Sequence, residues 1–185
     1  MSPRTKTFCA AAFLLGLLVT GRAENAETNT TIMKLQLTTT AFSPGQPIPS
    51  RHAYDHDDLS PALQWSGIPA AAKSLALICD DPDAPRGTWV HWVLYDLPAT
   101  TAGLSEGVPK SSELANGAKQ GINDYKKIGY GGPCPPPGKP HRYFFKLYAL
   151  DTKLDLKPGL AKKEVLQAMK AHIIAEGELM GTYKN

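Results

Sequence analysis

Asp80-Asp81-Pro82-Asp83-Ala84-Pro85, followed closely by Trp89-Val90-His91-Trp92, is the densest group of chemistry-bearing side chains in the chain. A carboxylate facing an imidazole is a polar pair that a strand core does not require. It can orient the ring, and it favours the ring's charged form. The flanking runs SLALICD (74–80) and WVHWVLYDL (89–97) are rich in β-branched and aromatic residues. A short Pro- and Gly-containing connection joins them, so antiparallel pairing is expected. Pairing centred on Arg86 sets Asp81 across from His91. Read alone, the segment is more readily an ordinary turn, because Asp and Pro are common turn formers.

A second segment runs from Tyr130-Gly131-Gly132-Pro133-Cys134-Pro135-Pro136-Pro137 through Gly138-Lys139-Pro140 to His141-Arg142-Tyr143. Glycine permits close backbone approach and proline freezes the chain. Such a loop ending in His-Arg-Tyr suits an anion pocket, since imidazole N–H groups and a phenol donate to phosphate oxygens. It is not a phosphate-binding P-loop. Its prolines lack N–H groups, and it leads into a strand instead of a helix. A plain Pro-rich connector is the competing reading. His52, Asp55, His56, Asp57 and Asp58 have the composition of a metal site, but Pro49 and Pro61 bracket them in a loop without helical spacing. No metal or cofactor is assigned. The chain has no GxSxG elbow, HExxH pair or CxxC motif, and no catalytic residue is assigned.

Positioning these groups requires strands. Lys34 to Thr39 alternates apolar and polar, Ala62 to Trp65 makes a short strand, and His141 to Leu150 makes a long one. Ile173 to Tyr183 closes the series. One helix is expected over Leu160 to Ala171, with Pro158 near its start and Lys162, Lys163 and Lys170 on an exposed face. Many strands with one late helix predict a mainly β fold, an antiparallel sandwich with a C-terminal helix and short helical decorations.

Arg4 and Lys6 precede the mostly apolar run Phe8 to Gly21, which ends in Gly21-Arg22-Ala23. That layout predicts a signal peptide over 1–23, cut after Ala23, and a periplasmic or secreted product. The run is too short for a stable membrane span. Residues 24–32 are a polar lead-in and 33–185 a single domain. Of the formal charge of +3, Arg4, Lys6 and Arg22 account for all three units, and residues 1–23 hold no acid. The remaining chain is neutral, which argues against a nucleic-acid partner.

Taken together, the two segments closely resemble the phosphatidylethanolamine-binding protein family, in its bacterial Raf-kinase-inhibitor-like branch. The resemblance rests on Asp81-Pro82-Asp83-Ala84-Pro85, Trp89-Val90-His91 and Gly138-Lys139-Pro140-His141-Arg142-Tyr143. Ser60-Pro61-Ala62-Leu63-Gln64-Trp65, Gly121-Ile122-Asn123-Asp124 and Tyr130 to Pro136 extend it over about residues 34–184. It implies a sandwich with a small anion pocket lined by Asp81, His91, His141 and Tyr143, with Pro135 and Pro136 shaping the wall and Cys134 and Asp83 beside it. Eukaryotic members have a glycine-rich loop where this chain has Cys134. The implied partner is a small phosphorylated or anionic ligand such as a phospholipid headgroup. The alternative is inhibition of a protease or of a host signalling protein by protein–protein contact, with a kinase or protease as the possible protein target. Hydrolysis is a weaker alternative, and a homodimer is left open. Two further expectations concern the same loops. A Cys79–Cys134 bridge is open in an oxidising compartment, and a cis Ala84–Pro85 bond is open at small energetic cost.

Overall fold

Two strands with unbroken burial organise the molecule, here described from a computed structural model for Met1 and residues 32–185. The signal-peptide expectation, and all but the last residue of the lead-in, lie outside the described residues. Every residue of β4 (Ser74–Asp81) is buried, as are the eight inner residues of β5 (Trp89–Pro98). Burial on both faces is why their sequences read as near-continuous apolar runs instead of alternating ones.

The remaining strands are β1 (Met33–Lys34), β2 (Gln36–Thr38), β3 (Leu63–Ser66), β6 (Gly103–Leu104), β7 (Lys119–Gln120), β8 (His141–Leu150) and β9 (Ile173–Tyr183). They form a six-stranded sheet, ordered β1-β9-β8-β4-β5-β7, and a three-stranded sheet, β2-β3-β6. Leu37, Leu63 and Trp65 of the small sheet meet Leu75, Leu77, Cys79, Trp92, Leu94, Phe145 and Leu147 of the large one in the main core. A second cluster, with Ile78, Val93 and Tyr95, lies under Val165 and Met169 of helix α1 (Lys162–Met169). The expected sandwich is therefore present, with one pairing outside the antiparallel expectation: β1 runs parallel to β9.

Helix α1 is shorter than the expected Leu160 to Ala171. The Glu164 carboxylate accepts from the Ala161 N–H at 2.9 Å, so the first turn is set there and not at Pro158. Lys162, expected on the exposed face, folds back onto buried Asp80, which also holds Lys146 at 3.0 Å. The two ammonium groups compensate a carboxylate that burial alone would make costly.

Candidate functional site

The β4–β5 hairpin does not place Asp81 opposite His91. Asp81 pairs with Trp89, Asp80 with Val90 and Cys79 with Trp92. A bulge between Cys79 and Asp80 makes His91 the extra residue on β5. Bulges re-aim side chains locally, and symmetric counting about Arg86 misses one by construction. Asp81 instead meets His141 at the start of β8, whose Nδ1 lies 2.7 Å from Asp81 Oδ2. The carboxylate thus orients a histidine, but a different one from that expected.

The Asp81 carboxylate also shapes its own turn, because Oδ1 accepts the Asp83 N–H at 2.7 Å. Asp83 departs from the expected role. Its carboxylate turns away from the cavity and accepts from the Arg142 backbone N–H at 2.9 Å and from Nε and Nη2 at 2.9 and 2.7 Å. The guanidinium holds its carboxyl down at about 2, well below the usual carboxylate range. Asp83 is a strut between the turn and β8. The Ala84–Pro85 bond is trans, since these contacts fix the turn without a cis peptide.

Asp81, His91, His141 and Tyr143 converge on one concavity of about 260 Å³, with Cys134, Pro135 and Pro136 in its wall. Ala84, Pro85, Trp89 and Tyr125 complete the lining, and none of these four was singled out as a site residue from sequence. Trp89 lay within the quoted Trp-x-His segment. Tyr125 follows the quoted Gly-Ile-Asn-Asp segment, at a turn where Asn123 accepts the Lys127 N–H and Lys126 has φ of 63°. An aromatic beside such a turn was the available signal. The Tyr125 ring stacks on Tyr54 at 3.9 Å, and its hydroxyl donates to the Gly132 carbonyl at 3.0 Å.

The proline loop is held rigidly against this wall. Gly131 N–H donates to the His91 carbonyl at 2.9 Å, Gly132 N–H to Asp58 Oδ1 at 2.7 Å, and Tyr54 N–H to the Pro133 carbonyl at 2.9 Å. Gly132 has no alternative residue, because a Cβ there would stand 2.0 Å from the His52 carbonyl oxygen. The metal-like segment therefore has structural duties. Asp58 holds the loop and Lys110, while His52 Nδ1 lies 2.8 Å from the Leu59 carbonyl. Among the described residues, no three His, Cys, Asp or Glu side chains converge as a metal site. Cys79 and Cys134 are both free, the first sealed in the main core and the second exposed on the rim, so the bridge left open above is not made.

The electrostatics centre on His91, which is 2% exposed. Its Nδ1 lies 2.7 Å from the Gly131 carbonyl, which can only accept, so this nitrogen carries the proton. Burial lowers the ring's pKa, overriding the opposing pull of the Gly131 hydrogen bond and the Asp81 charge. The resting ring is neutral with a bare Nε2, contrary to the expectation that a neutral imidazole donates into the pocket. Burial, and secondarily the Asp81 charge, pushes the Tyr143 phenol well up, so it stays protonated. His91 Nε2, Tyr143 Oη and Trp89 Nε1 are the buried side-chain polar atoms that lack any partner among the described residues. All three belong to residues lining this cavity.

The phosphatidylethanolamine-binding protein family model matches residues 38–184, nearly the whole described chain. The chain belongs to the phosphatidylethanolamine-binding protein family. Among its relatives, the UPF0098 protein of Methanothermobacter thermautotrophicus is 53% identical over 150 residues, covering 81% of this chain and 99% of that one. That of Aquifex aeolicus is 48% identical over 146 residues, covering 78% and 85%. The crystal structure of a phosphatidylethanolamine-binding protein homologue from Chlamydia trachomatis is similar with a TM-score of 0.75 at 44% identity, covering 82% of this chain and 98% of that one. Escherichia coli YbcL, described as a member of the mammalian family, gives 0.77 at 35% identity with the same coverage. The family's sandwich is thus the fold of this chain, and the Asp-Pro-Asp turn and His-Arg-Tyr strand meet at its cavity.

Proposed function

We propose that the cavity binds a small phosphorylated or anionic group, such as a phospholipid headgroup, and that the protein works by binding and not by turnover. One observation carries the reading: Trp89, His91 and Tyr143, which line a single concavity, each hold a buried polar atom without a partner among the described residues. Leaving a buried donor or acceptor unsatisfied costs about 1–3 kcal/mol each, so a ligand that satisfies all three gains strongly. An oxyanion accepts from Trp89 Nε1 and Tyr143 Oη. The third contact needs a proton between the anion and His91 Nε2, supplied as imidazolium or as a phosphate O–H. The volume of about 260 Å³ fits a headgroup and not an acyl chain. No serine or threonine stands among the lining residues, which disfavours acyl transfer through an aliphatic hydroxyl.

Inhibition of a protease or of a host signalling protein by protein–protein contact is the second reading, favoured by the exposed stretch Pro136 to Pro140 at the cavity rim. For either role we propose export through the 1–23 leader, giving a periplasmic or secreted protein. Among the described residues, no helix is long and apolar enough to cross a membrane. Mass spectrometry of purified protein under native conditions tests the binding reading. A phosphorylated or anionic small molecule released on unfolding is the expected result. An empty cavity that also fails to take up phosphoethanolamine contradicts it.

A further inference from the structure

Cys134 is exposed, lines the cavity, and sits on backbone that cannot yield. Pro133 and Pro135 flank it with fixed φ angles. Their carbonyls accept from the Tyr54 N–H at 2.9 Å and from Asn185 Nδ2 at 2.7 Å. The backbone that carries the thiol is therefore fixed at the wall of the concavity. An exposed cysteine alone marks nothing. Here the same concavity carries, independently, the unpartnered His91 Nε2 and Tyr143 Oη, both on side chains at least nine-tenths buried. A group attached to Cys134 occupies the space those atoms leave for a ligand. The other cysteine of the described chain, Cys79, is 1% exposed within the core and offers no exchange partner.

We propose that Cys134 is a covalent modification site that closes the cavity by exchange with small disulfides. The deprotonated Sγ attacks one sulfur of the disulfide RSSR, forming a new S–S bond while the original one breaks. The leaving thiolate RS⁻ takes up a proton equivalent to the one Cys134 gave up, so one RSH is released for each adduct. The disulfide is the oxidant, and a reducing thiol reverses the step. Only the consequence for anion binding rests on the function proposed above; the adduct and its place in the cavity do not.

The test treats the folded full chain with 2-hydroxyethyl disulfide and locates adducts by peptide mapping, which separates Cys134 from Cys79 and Cys9. Imidazole NMR signals and calorimetry with inorganic phosphate are then recorded before and after. An adduct is expected at Cys134, at Cys79 only after unfolding, and none at position 134 in Cys134→Ser. The adduct should shift the ring signals of His91 and His141, leave that of His172 in place, and weaken phosphate binding at least tenfold until it is reduced. No adduct at Cys134 in the folded chain, or an adduct that moves neither ring signal, overturns the inference. If the unmodified chain takes up no phosphate while the adduct still shifts both rings, the anion reading fails and the covalent site stands.

Discussion

At the residue scale, His91 decides how the site behaves. Its pKa is lowered by burial, so below about 6.5 the unfolded chain takes up a proton there that the folded chain resists. The stabilising contribution is present above that pH and is lost as pH falls. Denaturant titrations should show the stability of the wild type relative to His91→Gln shrinking between about pH 7 and 5.5; the opposite trend would mean a charged ring in the resting state. Asp83 acts in a lower window. Its carboxyl, held at about 2, contributes stability present above the ordinary value and lost as pH falls from about 4 towards 2. Because the Arg142 side chain is 53% accessible, solvent screens the pair and keeps its contribution small. Asp83→Asn should flatten the acid limb of the stability curve slightly, and an unchanged limb would mean that Asp83 is no strut. Asp81, His91, His141 and Tyr143 were readable as a group from residue types and resemblance. That Asp81 holds His141 was not, because the contact depends on β8 lying beside β4, a pairing of segments 60 residues apart that local spacing does not reveal.

At the element scale, the long strands were readable because their apolar runs are unambiguous, and β8 spans the expected His141 to Leu150. The two-residue strands β6 and β7 were not, since Gly103–Leu104 and Lys119–Gln120 owe their pairing to neighbours and not to their own pattern. The proline loop is the element on which the site depends. Gly132→Ala should displace it, because a Cβ meets the His52 carbonyl at 2.0 Å. Over-packing of this kind costs about 1–3 kcal/mol, and the loss should appear in thermal unfolding together with weakened ligand binding. Unaltered stability and binding would show that the loop tolerates a shift. Helix α1 is built mostly of good helix formers but is too short to stand alone, so packing holds it. Met169 is fully buried, and Met169→Ala should cost about 2–5 kcal/mol while leaving the cavity residues in place.

At the scale of the whole molecule, a two-layer sandwich brings residues as far apart as Asp81 and Tyr143 to one end and leaves three polar atoms there without partners. The proposed export belongs to this scale as well. N-terminal sequencing of the protein recovered outside the cytoplasm should begin at Glu24, and recovery with Met1 intact would contradict the leader. The proposed anion binding requires the cavity to take up a proton with the anion. Calorimetric titration of phosphoethanolamine into the purified protein at pH 6 and pH 8, with His91→Ala alongside, tests it most directly. The expected result is saturable binding, tighter at pH 6 and accompanied by proton uptake at pH 8. It should weaken in the variant by roughly 1.5–3 kcal/mol, the worth of a charged hydrogen bond. Binding of equal strength at both pH values and in both proteins, or no binding at all, would contradict it.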